Sequence, residues 1–199
     1  MTTRSPAVER ICDAAVIHFA ERGYDGSSLN EIAEAVDIRK ASLYAHFSGK
    51  DALFLEVYAD ALVQEMQFAQ QCFADERTTA QPGSLYCERL AKRYLQSQHL
   101  RFLLRTAYIP PQALVEQIDE GYIRYLATLS DNFEHKLLQS HAVDGRISKA
   151  DIALYGNAYL AIVDSLHVKL IYTNGRQVND RLKAMQRLLS DSLQATAGP

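Results

Sequence analysis

The chain has 199 residues, 48% of them hydrophobic, and a net charge of −3 from 21 basic and 24 acidic side chains. This is enough apolar material for one sizeable core or for a small domain joined to a larger one, and the acidic balance excludes a protein that coats nucleic acid through bulk charge. No run reaches the roughly 18 consecutive apolar residues of a membrane span, and Met-Thr-Thr-Arg-Ser-Pro leads into an amphipathic pattern without an apolar signal core, so a cytoplasmic protein with no membrane partner is expected.

Ser5-Pro6 supplies an N-cap and a first-turn proline, and Val8, Ile11, Cys12, Ala15 and Phe19 trace one helical face that Gly23 ends. Ser27 or Ser28 caps the next helix, with Glu31 in capping-box register to Ser28. Ile32, Ala33 and Val36 then give that helix a single apolar face of about two turns. Asp37 interrupts it at a point where a left-handed backbone is needed, which Gly adopts freely and Asp tolerates. A second short helix is expected from Arg39 or Lys40 to about His46. Leu43 and Phe47 turn inward, leaving Arg39, Lys40, Ser42, Tyr44 and His46 on the solvent side. Two short capped helices in a tight turn, the second displaying donors and one aromatic ring, are the layout of a DNA-reading helix-turn-helix. Between 37 and 50 three cations, Arg39, Lys40 and Lys50, face Asp37 alone, a positive tip on an otherwise balanced segment. One such tip binds weakly, and two on a symmetric dimer reach a pseudo-palindromic operator.

Ser48 with Asp51 reads as a further capping box. Leu55, Tyr58, Ala59, Leu62, Met66, Ala69 and Phe73 follow it as a stripe of more than five turns. Asp75 to Gly83 is a polar loop, Ser84 is expected to cap a helix to about Gln98, and a short helix from Leu100 to Ala107 stops at Pro110-Pro111. A long helix carries Leu114, Ile118, Tyr122, Tyr125, Leu126, Leu129, Phe133 and Leu137, and Asp144-Gly145 is the turn after it. Ser148 starts a helix to about Tyr172, Asn174-Gly175 ends it, and a last helix from about Val178 turns Leu182, Met185, Leu188, Leu189 and Leu193 inward, with a frayed tail. The 148–172 helix is apolar nearly all round. Ile152, Tyr155, Tyr159, Ile162 and Leu166 mark one side and Leu154, Ala158, Ala161, Ser165 and Val168 another, so it needs two neighbours. The fold class is all-α, with an N-terminal three-helix helix-turn-helix domain over 1–50 and a larger helical domain over 51–199.

The ordered set Gly23-Tyr24, Ser27-Ser28, Ile32-Ala33, Leu43-Tyr44-Ala45-His46-Phe47 and Lys50-Asp51-Ala52-Leu53 resembles the DNA-binding region of the tetracycline-repressor (TetR) family, over about a sixth of the chain. The resemblance implies base contacts at Arg39, Lys40, Ala41 and Tyr44, and phosphate contacts at Ser27, Ser28, Ser42, Tyr44, His46 and Lys50. Two departures stand out: Asp37 where the family usually has Gly, and Ala45 where an aromatic or Arg often adds a backbone contact. It further implies a homodimer, paired as a four-helix bundle through the helices at about 148–172 and 178–195, and a ligand-binding role for residues 51–199. The function so implied is a ligand-responsive regulator, most simply a repressor that a small effector releases from its operator. A ligand-independent DNA-binding adaptor that recruits a protein partner is the alternative.

Eleven tyrosines suit a pocket that is apolar in its walls and offers hydroxyls. Tyr58, Leu62, Phe102, Arg105, Tyr108, Tyr122, Tyr125, Tyr155 and Tyr159 are the candidate ligand-binding residues. Arg101 and Arg105 favour an anionic end, Asp164 with tyrosine rings a lipophilic cation, and His99 or His167 can tune either. Cys12, Cys72 and Cys87 include no C-x-x-C pair and read as buried hydrophobes, with a redox-sensing thiol as the alternative. No carboxylate pair, H-E-x-x-H, phosphate loop or metal-spaced Cys/His set is present, so no enzyme activity, metal or cofactor is expected.

Overall fold

The computed structural model describes residues 4–140, 147–173 and 178–197, which form α-helices, one 3-10 turn and their connections, with no strand among them. The expected turns at Asp144-Gly145 and Asn174-Gly175, and the end of the tail, lie outside the described residues. In chain order the helices are α1 (Pro6–Arg22), α2 (Leu29–Ala35), α3 (Lys40–Tyr44), α4 (Lys50–Asp75), α5 (Ser84–Gln96), α6 (Gln98–Tyr108), α7 (Val115–Gln139), α8 (Lys149–Thr173) and α9 (Val178–Ala197), with the 3-10 turn at Gln112–Leu114.

The chain divides into two compact units, one holding the residues up to Gln64 with Ser97–Tyr122, the other Glu65–Gln96 with the chain from Ile123 onward. The division falls inside α4 and α7. In the first unit, Ser5 accepts the Val8 amide and Pro6 opens α1, while Gly23 at φ 74 closes it. Ile11, Cys12, Ala15, Val16 and Phe19 are buried from α1. Around Phe19 the unit builds an aromatic core: Phe19 and Phe54 meet edge-on at 4.8 Å, and Phe102 lies 5.0 Å from Phe54 and 5.8 Å from Phe19. The Tyr58 hydroxyl donates to the Ile118 carbonyl at 2.7 Å. Gly121 is required there by close approach, since a Cβ would lie 2.6 Å from the Tyr58 ring and 2.7 Å from Leu62.

The second unit has its own aromatic core, in which Phe133 and Tyr159 stack at 4.4 Å and the Tyr86 and Tyr125 hydroxyls bond to each other. Glu65, 1% exposed, is held by both nitrogens of the Arg93 fork at 2.8 and 3.0 Å, so its buried charge is paired in the bidentate geometry that arginine provides. Ser84 is the first residue of α5 rather than its cap. The buried Glu76 carboxylate does that work, accepting the Gly83 and Leu85 amides at 3.0 and 2.9 Å. Sequence patterning did not point to this because Glu76 caps from across the loop.

The α4 stripe is also turned from the expected one. Leu53, Phe54, Val57, Tyr58, Ala61, Leu62, Ala69, Cys72 and Phe73 are buried, Leu55 and Met66 are half-buried and Ala59 is exposed. On α8 the two sides separate as chemistry suggests: Tyr155, Tyr159, Ile162 and Leu166 are buried within the unit, whereas Leu154, Ala158, Ala161 and Val168 are exposed.

Candidate nucleic-acid interface

Ser28 is the cap of α2. Its hydroxyl accepts the Glu31 amide at 3.2 Å while the Glu31 carboxylate accepts the Ser28 amide at 3.3 Å, a reciprocal capping box. Hydrogen bonds from Ser28 and Arg22 hold the Glu31 carboxyl below its usual range. After α2, Asp37 adopts φ 56, the left-handed conformation that the turn demands, and Ile38 folds its amide back onto the Ala33 carbonyl at 3.0 Å. This reverses the chain into α3 within a few residues.

α3 has five residues and is anchored through Leu43, fully buried, and the following Phe47, 8% exposed. Everything else on it faces out: Arg39, Lys40, Ala41, Ser42, Tyr44, Ala45 and His46 are exposed. The Lys40 ammonium lies 5.8 Å from the centre of the Tyr44 ring, so cation and ring form one surface. Arginine and lysine donors suit guanine O6 and N7, an alanine methyl suits the thymine methyl, and hydroxyls and imidazole suit phosphates.

Two residues assigned to phosphate contact are placed otherwise. Ser27 is 3% exposed, and its hydroxyl donates to the carbonyls of Gly23 at 2.8 Å and His18 at 3.2 Å, so it braces the end of α1. Lys50 donates to the Tyr24 and Ser27 carbonyls at 2.9 and 3.2 Å, with its ammonium 4.0 Å from the centre of the Tyr24 ring. It ties the start of α4 to the α1–α2 turn. Asp51, read as half of a capping box with Ser48, accepts the Tyr24 hydroxyl, and burial together with that carboxylate pushes the Tyr24 hydroxyl up to about 12. Tyr24 is thus a bracing residue between the α1–α2 turn and the start of α4. Its signal was the Gly-aromatic pair, whose meaning depends on where Lys50 arrives. Arg4 is likewise bound to Glu56 and Asp60, pinning the start of α1 to α4.

A family model described as bacterial regulatory proteins, tetR family, matches residues 11–57, from the core of α1 through α2 and α3 to the first turns of α4. Over this segment the chain is similar to the DNA-binding region of the TetR family. The TetR-like segment is similar to IcaR, a biofilm-operon negative transcriptional regulator of Staphylococcus aureus, at 48% identity over 46 residues, 23% of this chain and 25% of that protein. The match thus spans about a quarter of the length of that relative. The fold as a whole is similar to the fatty acid degradation regulator FadR of Bacillus halodurans, with a TM-score of 0.72 and 16% identity over 94% of this chain and 96% of that one. It is also similar to the transcriptional regulator FadR of Bacillus subtilis in complex with stearoyl-CoA, with a TM-score of 0.67 and 18% identity over 94% and 98%.

The candidate ligand residues fall in both units. Tyr58, Leu62, Phe102, Arg105, Tyr108 and Tyr122 belong to the first, where Tyr58 meets Phe102 at 6.3 Å and Tyr108 meets Tyr122 at 6.2 Å. Tyr125, Tyr155 and Tyr159 belong to the second, with hydroxyls already engaged: Tyr125 with Tyr86, Tyr155 with Ser192 and Thr196, and Tyr159 with the Gly83 carbonyl at 3.1 Å. Arg105 is turned to the end of α1, 3.4 Å from the Glu21 carbonyl. In the second unit, Tyr155, Ala158, Ile162, Met185, Leu188, Leu189 and Ser192 line an open apolar groove of about 250 Å³ along α8 and α9. Leu188 is 70% exposed there, although its spacing made it an inward residue. All three cysteines are buried and free. Burial pushes the Cys12 thiol up to about 11 and the Cys87 thiol up to about 12, away from the reactive thiolate that a redox sensor needs. No helix among the described residues is long and apolar enough to cross a membrane.

Proposed function

We propose that this protein is a homodimeric, ligand-responsive DNA-binding transcriptional regulator, a repressor that a small lipophilic or aromatic effector releases from a pseudo-palindromic operator. The observation that carries the reading is α3 itself: two apolar anchors, Leu43 and Phe47, hold a helix whose other side chains all face outward as donors, a ring and two methyls. Arg39, Lys40, Ala41 and Tyr44 read base edges, and Ser28, Ser42, Tyr44 and His46 take phosphates, with Ser27 and Lys50 bracing the motif from behind. Residues 1–50 carry the reading head, and residues 51–199 carry the effector site and the dimer face.

One five-residue helix offers too few contacts for specific affinity, so two must act together about one helical turn of DNA apart, roughly 34 Å. The exposed side of α8 and the groove along α9 support pairing through the segments 148–172 and 178–195. For the effector, the rings of Tyr58, Phe102, Tyr108 and Tyr122 in the first unit favour an apolar body. Stearoyl-CoA on the Bacillus subtilis FadR is one lipophilic ligand held by a protein of similar fold. An effector that favours the released form by about 1–3 kcal/mol per site lowers operator affinity some five- to a hundredfold.

Fluorescence anisotropy of the purified protein on its own promoter region, against scrambled DNA of equal length and across salt concentrations, tests the reading. A preference of roughly 10³-fold or more at dimer stoichiometry is expected. Lys40→Ala and Tyr44→Ala should each remove that preference and leave the dimer intact, and unchanged selectivity in both would remove α3 from the reading head.

A further inference from the structure

The α1–α2 turn, Gly23 to Ser28, is gripped from two sides by elements distant in sequence. From α4 come Lys50, on the Tyr24 and Ser27 carbonyls, and Asp51, on the Tyr24 hydroxyl. From the last turn of α6 comes Arg105, whose Nη1 reaches the Glu21 carbonyl at 3.4 Å. The Nε–Nη2 edge of its guanidinium also faces Gly23, so that a Cβ at that glycine would meet Nε at 3.0 Å and Nη2 at 3.1 Å. The φ of 74 is what calls for glycine at position 23, and the absence of a Cβ there lets the arginine approach closely. Two cations thus converge on the carbonyl-rich end of α1, where the helix dipole places negative potential.

α1 packs on α6 as well as on α2, and α2 packs on α3, so the end of α1 is joined to the reading head through consecutive packed elements. Buried polar atoms without a hydrogen-bond partner gather on the two helices of the α1–α6 contact: His18 Nδ1 on α1, and Gln98 Oε1 and Arg101 Nε on α6. Arg105 supplies a polar link between α6 and the end of α1, which a shift of α6 along α1 would carry with it.

We infer that Arg105 is a positioning residue for DNA reading, holding the α1–α2 turn in register with α6 so that a displacement of α6 is delivered to the helix-turn-helix at Gly23. The inference rests on the proposed DNA-binding function, and it gives α6 a route to the reading head that does not pass through α4. Arg105 is partly exposed and touches no residue assigned to DNA, so its effect on the operator is indirect.

The test uses the full chain and compares wild type, Arg105→Gln and Arg105→Lys by two readouts. One is backbone hydrogen exchange over residues 22–28, and the other is anisotropy on the promoter fragment that wild type prefers over scrambled DNA. Arg105→Gln should speed exchange in that turn by about three- to tenfold, the range for losing one long, solvent-exposed hydrogen bond of ordinary strength, and weaken operator binding by a similar factor. Exchange in α9 should be unchanged, which separates a local effect from a general loss of stability. Arg105→Lys, which keeps the charge and loses the flat fork, should fall between. Unchanged exchange at 22–28 in Arg105→Gln would overturn the inference, as would faster exchange with undiminished operator affinity. Wild type that fails to prefer its promoter would count against the proposed function instead, and the exchange readout would still report whether Arg105 holds the turn.

Discussion

At the scale of single residues, the same side-chain type takes opposite roles according to what surrounds it. Lys40 lies on the exposed face of α3, whereas Lys50 is drawn onto two carbonyls and an aromatic ring, and the difference is set by the helix each belongs to rather than by its own chemistry. Histidines divide similarly. His46 is exposed, but His167 is fully buried in the second unit against the Tyr125 ring, and burial lowers its pKa from 6.5 to about 3. Between those two values the unfolded chain binds a proton that the folded chain refuses. Stability is therefore complete above about pH 6.5 and is lost as pH falls toward 3. From about pH 7.5 to about pH 5 this residue should cost roughly 2 kcal/mol, at 1.36 kcal/mol per pH unit below 6.5. Urea unfolding at fixed protein concentration checks it: His167→Gln should flatten the dependence over that interval, and parallel curves for the two proteins would refute the assignment.

At the scale of elements, short helices here survive by being capped and braced from elsewhere. Seven-residue α2 and five-residue α3 are far below the length at which isolated helices persist in water, and they form because Ser28, Asp37 and the anchors Leu43 and Phe47 fix their ends and inner faces. The start of α5 uses the same device at longer range. Glu76 caps it, and Gly83, at φ 74, brings its backbone against the Tyr159 ring of α8, where an added Cβ would lie 2.4 Å from a ring carbon. Gly83→Ala should therefore destabilise the protein by about 2–4 kcal/mol, through backbone strain and overpacking together. Gly49→Ala, at a position with nothing within 4 Å, should change stability by less than about 0.5 kcal/mol. Thermal melts of the two variants give the comparison, and similar midpoints would show that the α5–α8 approach tolerates a methyl group.

At the scale of the whole molecule, the exposed apolar side chains of α8 and α9 offer the proposed homodimer a face. Leu154 on α8, at 62% exposure, and Leu188 in the apolar groove, at 70%, are costly to leave in water and ordinary at the centre of a homodimer. If this face pairs as proposed, wild type should sediment as a dimer and Leu188→Glu as a monomer, with helical content unchanged. Operator affinity should fall with it, because one reading head supplies half of the contacts. A variant that stays dimeric would move the interface away from this face.

Much of this was legible from local pattern. Helix existence, the capping box at Ser28, the left-handed Asp37, the inward Leu43 and Phe47 and the two sides of α8 follow from spacing and from side-chain chemistry within a few residues, which is where such signals act. The sequence by itself determined an all-helical chain with a helix-turn-helix near its start and an outward row of donors on α3. What it left open depends on partners far apart in the chain. That Lys50 and Ser27 brace rather than face outward, that Glu76 caps α5 in place of Ser84, that Arg105 seats on Gly23, and that the α4 stripe is rotated were decided by which elements met. A side chain's periodicity gives the face it occupies, but only the arriving neighbour settles whether that face meets a carbonyl, a ring or water.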